Sequence, residues 1–357
     1  MIVTPIYLIF CVQKNIYRVM GSFRLFLLTA IPALFLAEGL LLYKKNIGSK
    51  AANYIIKKQV EGYAKQKLEN LTEKILPKKA SDTSFSVSPV LASYKNYNDI
   101  IDQLQVWQKE VPSMTELVSY GKTASGTECN YLRVGTKDKP KILVHAGLYG
   151  DEEFAILATM NIIEKMLSSY GKNDDVTWVM DNRDIYFVPV ASPDTFLKPD
   201  KIEGYNPHTS FPYPKRPNNA SPSPVKLMIS MMNHMKFKAV LNMHTPGESI
   251  YPPEICKKED GDKICTLVKK MTGLNGYKTD RVENAHGSGT DVDWFYSAGA
   301  ASVQMMWGTK TRQFVEYSDV APSVDRSLSS ILLFMKEGTE LDLHPTPLRT
   351  IYYYQAE

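Results

Sequence analysis

Cysteine is scarce in this 357-residue chain: Cys11, Cys129, Cys256 and Cys265 are the full complement, and none stands at CxxC spacing. That excludes the redox and structural-zinc motifs built on such pairs. Cys256 and Cys265 flank the polar run KKEDGDKI, so they are either a loop closed by a disulfide in an extracytoplasmic domain or two ordinary thiols. Also missing is any helix-turn-helix, zinc-finger or comparable nucleic-acid signature. The formal net charge of +4 is uneven, because residues 44–80 carry ten Lys and three Glu, which leaves residues 81–357 at about −5. The basic character therefore belongs to one segment, which could face an anionic membrane surface, and no nucleic-acid partner is expected. With 44% hydrophobic and 22% charged residues, the chain is not disordered and is long enough to bury one large core plus an appendage.

The appendage is amino-terminal. Residues 25–43 (LFLLTAIPALFLAEGLLLY) form an apolar run with Arg18 and Arg24 before it and Lys44 and Lys45 after it, long enough to span a bilayer. Pro32 and Glu38 interrupt it, and a carboxylate in hydrocarbon costs on the order of 2.5 kcal/mol or more unless it reaches the interface. An uncleaved anchor, a signal peptide and a protein-docking helix all fit, the second more readily if translation starts at Met20. Ala37–Gly39 offers poor cleavage-site chemistry. Beyond the run, Ile55, Ile56, Val60, Tyr63, Leu68, Leu71 and Ile75 recur at helical spacing between lysines. The pattern predicts a basic amphipathic helix, lying on a membrane or packed on a neighbour. Pro77 and the serine-rich stretch from Ser81 to Ser88 read as a linker. The expected organisation is 1–43 hydrophobic segment, 44–90 basic helix and linker, 91–340 folded domain and 341–357 tail.

From Tyr94 onward helical and extended patterns alternate, which predicts an α/β domain with a mixed central sheet flanked by helices. Ile100, Ile101, Leu104 and Trp107 mark an amphipathic helix. Lys141–His145, Ile185–Val190 and Ala239–Met243 read as buried strands, and a helix is expected over Phe154–Leu167. In such sheets, sites form on loops beyond the strand ends. The run Phe211–Pro224 (FPYPKRPNNASPSP) reads as an exposed loop rimming the cleft. Gly247 and Gly289 read as turn residues.

Three blocks follow the strands in order: Gly147-Leu-Tyr-Gly-Asp-Glu-Glu153, Met243-His-Thr-Pro-Gly-Glu-Ser-Ile-Tyr251, and Gly289-Thr-Asp-Val-Asp-Trp294 with Tyr296 and Gly299. Together with Gly121-Lys-Thr-Ala-Ser-Gly126 they resemble the zinc carboxypeptidase family over roughly residues 94–338. The resemblance implies a carboxypeptidase-like fold and a site where His-x-x-Glu and a later His hold zinc with an open position for water. A Glu near the carboxyl end would serve as general base, and an Arg would hold the substrate carboxylate.

Residue by residue, the resemblance aligns Glu152 with the ligand glutamate and His244 with the later histidine, as metal ligands. Tyr149 stands at the first histidine, and a phenol with a pKa near 10 is a poor ligand. Met306 occupies the general-base position, leaving the catalytic residue undetermined; Glu316 is a candidate substitute. His208 and His286 are candidate replacements for the missing ligand, while His145, on a strand, is turned by alternation away from the loop. His208 and Thr209 fall where the family has its Asn-Arg pair. Tyr149, Thr209 and Asp293 are expected at the substrate cleft, with Asp293-Trp294 also serving as fold support. Zinc is thus implied as cofactor but by an incomplete set. The expected role is a non-catalytic binding or structural module for a peptide or protein partner, joined to a membrane or larger assembly, a virion included, through its amino terminus. The alternative is an active zinc peptidase or amidase with a rearranged site, acting on peptides such as cell-wall stem peptides.

Overall fold

A computed structural model describes residues 87–90, 94–198, 206–212, 221–279, 289–309 and 315–345, without the His208 side chain. All lie within one compact unit, Ala80–Glu357. The amino-terminal apolar run and basic helix, His286 and the final residues lie outside the described residues. Among the described residues, no helix is long and apolar enough to cross a membrane.

Helix α1 (Tyr97–Glu110) starts at Asn96, whose side chain accepts from the Asp99 backbone while Asp99 answers the Asn96 backbone, a reciprocal cap that fixes the helix start. Its apolar stripe buries Ile100, Leu104 and Trp107. An antiparallel pair follows, β1 (Thr115–Lys122) and β2 (Glu128–Gly135). The chain then runs through β3 (Lys141–His145), α2 (Glu153–Ser169), α3 (Asp174–Asn182) and β4 (Asp184–Val188). After α4 (Ser223–Met235) come β5 (Ala239–His244), β6 (Ser249–Tyr251) and α5 (Lys258–Asn275). Short α6 (Asp291–Ser297), β7 (Ala301–Met306) and α7 (Tyr317–Glu337) complete the domain.

The seven strands align as β1-β2-β4-β3-β5-β7-β6. The inner four, β4-β3-β5-β7, are parallel, and the edges are antiparallel. Parallel strands are buried on both faces, which explains their unbroken apolar runs. Ile142, Val144, Leu241, Met243, Val303 and Met305 point to the thicker side, under α1, α2, α3, α5 and α7. Leu143, Val188 and Val240 point to the thinner side, packed with Val225 and Met228 of α4 and Trp294 and Phe295 of α6. Strand ends carrying His145, His244 and Met306 therefore lie at one edge of the sheet, where their carboxyl termini open.

One expectation is corrected. The ends of the Phe211–Pro224 run are not exposed: Phe211, Ser221, Pro222 and Pro224 are buried, and α4 begins at Ser223. Composition identifies loop chemistry, but Phe211 is packed on the thin face against Trp294 and Phe295. Of the two alternatives left open for Cys256 and Cys265, the structure shows two thiols and no disulfide between them.

Candidate functional site

The loop after β3 is held by the neighbouring segment. Ser192 N donates to Gly147 O at 3.0 Å and Leu197 N to Gly150 O at 2.7 Å. A Cβ on Gly150 would stand 1.6 Å from the carbonyl oxygen of Thr195, so only glycine lets the two backbones approach this closely. This pinning brings the chain to Glu152, the residue before α2, which is fully buried. Tyr149 and Glu152 are the ends of one turn, closed by Glu152 N donating to Tyr149 O at 3.3 Å.

From the end of β5, His244 reaches Glu152. Its Nδ1 donates to the Glu152 carboxylate at 3.0 Å, and Thr245 N donates to Glu152 Oε1 at 3.3 Å. On its other side, His244 Nε2 donates to Asp291 Oδ2 at 2.7 Å. All three side chains are buried. Burial alone would lower the His244 pKa, but the charges of Glu152 and Asp291 outweigh it and raise the imidazole to about 10. An imidazole bonded to carboxylates on both nitrogens is the arrangement that protonation favours.

The polar contacts continue inward. His145 Nε2 donates to Asn242 Oδ1 at 2.7 Å and lies 3.6 Å from Asp291. Asn242 Nδ2 in turn donates to Ser302 Oγ and Val303 O. Burial pushes His145 down to about 4, against the pull of Asp291, so it is neutral. As the strand alternation predicts, it is a core histidine; its Nδ1 has no hydrogen-bond partner.

Asp291 was not legible as a site residue. The available signal was two acids, Asp291 and Asp293, in the first turn of an otherwise apolar seven-residue helix. They do different work. Asp293 accepts from Ile255 N at 3.0 Å and from Thr290 Oγ1 at 2.8 Å, and burial raises its pKa. It braces the scaffold, the second of its two expected roles, and these contacts do not reach the Glu152–His244 pair. Asp291 instead faces the strand ends.

The cleft wall is set by Gly289, whose φ of +79° and contact with Thr209–Phe211 exclude a side chain: a Cβ would lie 2.5 Å from Phe211 O and 2.9 Å from Thr209 O. Phe211 N donates to Gly289 O at 3.0 Å. Thr209 thus sits beside the turn that leads to Asp291, at the end of the 3-10 turn Pro207–Thr209. Gly247 also has positive φ, as a turn residue should. The Tyr149 hydroxyl donates to Asn206 Oδ1, just before the 3-10 turn that contains His208.

Met306 is the register partner of His244 on the adjacent strand. The position aligned with a general base is therefore beside the imidazole, but it presents a thioether, which accepts from Gln304 Nε2 at 3.0 Å and cannot take a substrate proton. Glu316 precedes α7 and lines a cavity of about 350 Å³ with Thr245, Phe154, Glu248, Asp319 and Arg326. It shares that cavity with the residue after His244.

A divalent ion at the aligned position would draw on Glu152 and His244. Neither His244 nitrogen is unengaged, and the third corner is a phenol already bonded to Asn206. Among the described residues, no group of three or more His, Cys, Asp or Glu is placed to hold a metal ion. The described donors therefore do not fit a three-ligand zinc site. The expected substitutes, the His208 side chain and His286, lie outside the described residues.

The sequence model of the zinc carboxypeptidase family matches residues 100–198. Metallocarboxypeptidase A of Trichophyton tonsurans is 33% identical over 108 residues, which are 29% of this chain and 26% of that protein. Carboxypeptidase A1 of Mus musculus is 22% identical over 255 residues, 58% of this chain and 60% of its own length. The matches thus span about a quarter to three-fifths of these relatives. Among solved structures, thrombin activatable fibrinolysis inhibitor superposes with a TM-score of 0.63 at 15% identity, covering 75% of this chain and 78% of its own. Carboxypeptidase A from Helicoverpa armigera gives 0.62 at 17% identity, covering 82% and 88%. These likenesses show the fold, and the matched family implies zinc as a possible cofactor. By sequence, residues 100–198 match the zinc carboxypeptidase family, and by fold the described domain is carboxypeptidase-like.

Proposed function

We propose that this carboxypeptidase-like domain binds a peptide or protein segment in its cleft without hydrolysing it. One observation carries the reading: the buried His244 is bonded to Glu152 and Asp291, and the third metal corner is the Tyr149 phenol, itself bonded to Asn206. Tyr149 and Met306 point the same way, because neither offers the ligand or the base that the alignment calls for. Fold membership alone does not establish activity. The amino-terminal run and the basic stretch behind it would join this module to a membrane or a larger assembly, a reading that rests on their apolar length and lysines. The test is to offer the zinc-incubated full chain a panel of peptides and follow retention and cleavage together. Retention with intact peptide supports the proposal, and release of residues at enzymatic rates contradicts it.

A second reading, a zinc peptidase or amidase with a rearranged site, draws on one contact. The Tyr149–Asn206 bond brings the turn carrying His208 beside the cleft. Loss of zinc and of activity on His208→Ala, with the fold retained, would favour it.

A further inference from the structure

We propose that Asp291 is a positioning residue that sets which nitrogen of His244 faces the cleft. Its carboxylate is aimed before His244 is considered. Thr290 caps α6 by accepting from Asp293 N, the packing of Thr209–Phe211 against Gly289 fixes the preceding turn, and Val292 N donates to Asp291 Oδ1 at 2.8 Å. That leaves Oδ2 for His244 Nε2 at 2.7 Å. With Nε2 committed, Nδ1 is the nitrogen turned toward Glu152 and the loop after β3.

A buried carboxylate on the far nitrogen of a histidine fixes the ring's orientation, and such outer partners matter almost as much as the groups they orient. Asp291 also lies 3.6 Å from His145 Nε2, whose own hydrogen bond goes to Asn242. Among the described residues, two imidazoles, from the ends of β3 and β5, face Asp291, which links both to the start of α6. This role holds whether or not the cleft hydrolyses anything, so its failure and the failure of the binding reading are separable.

The experiment is long-range proton–nitrogen NMR of the full chain labelled at its six histidines, with Asp291→Asn and Glu152→Gln as variants. In the unmodified protein, His244 should show an exchange-protected, downfield Nε2–H. Asp291→Asn should shift that resonance and the His145 ring signals together. Glu152→Gln should move His244 Nδ1 and leave His145 in place. A merely space-filling Asp291 would leave the His244 ring signals unchanged in the isosteric Asn variant, which overturns the proposal. Should that variant not fold, absence of a protected His244 Nε2–H in the unmodified chain overturns it equally.

Discussion

His244 Nε2 lies 2.7 Å from Asp291 Oδ2, and the same ring's Nδ1 lies 3.0 Å from Glu152. One imidazole thus joins three segments of chain: the end of β5, the start of α2 and the start of α6. A cation placed between two buried carboxylates offsets their desolvation, and removing it leaves both uncompensated. His244→Gln should destabilise the domain by about 3–5 kcal/mol, as for other broken buried ion pairs. Chemical denaturation of the variant against the parent chain at pH 6 measures it.

The same contact has a pH signature in the metal-free protein. The folded-state value of His244 is raised from 6.5 to about 10, so its contribution is fully present below pH 6.5 and fades as pH climbs through 10. The stability gap between the parent chain and His244→Gln should narrow steadily between pH 7 and pH 10. A gap that widens over that range would show the imidazole to be neutral in the folded state.

Thiol reactivity should separate the described cysteines. Cys129 is buried on β2, and burial pushes its thiol up to about 12; Cys256 is buried, and Cys265 is half-buried. Since the thiolate is the reacting form, an aromatic disulfide reagent should label Cys265 in the native chain. Cys129 and Cys256 should label only after denaturation. Mass mapping of the modified peptides reads this directly.

Two glycine substitutions should move stability in opposite directions. Gly273 lies in α5 with no atom within 4 Å of an added Cβ, so Gly273→Ala should stabilise by about 0.5–1 kcal/mol through helix propensity and the unfolded chain. At Gly150 an added Cβ meets the Thr195 backbone, and Gly150→Ala should cost about 1–3 kcal/mol or more. Thermal melts of both variants give the comparison, and a neutral Gly150→Ala would mean that the loop carrying Tyr149 and Glu152 is not pinned as described.

Much of the scaffold was legible because its signals are local. The β3 bounds agree with expectation, β5 extends one residue further to His244, and α2 exceeds the expected helix by one residue at its start and two at its end. Strand alternation also gave the inward setting of His145. Glu152 and His244 could be picked out because they stand in ordered blocks beside turn glycines. Asp291 could not, since its partner is 47 residues away and nothing in the first turn of a helix says which of two acids faces inward. The Phe211–Pro224 run failed for a related reason: proline, asparagine and serine specify backbone conformation, whereas burial is decided by what the fold lays against Phe211.

The account rests on a cleft with an imidazole bonded to two carboxylates and a phenol where a third metal donor would stand. Its most direct test is cobalt or zinc titration of the full chain and of Tyr149→His, read by metal content after dialysis and by the cobalt absorption spectrum. The parent chain should retain less than one equivalent and show no tetrahedral cobalt bands, while Tyr149→His should gain both metal and bands. One tightly held equivalent in the parent chain would contradict the account.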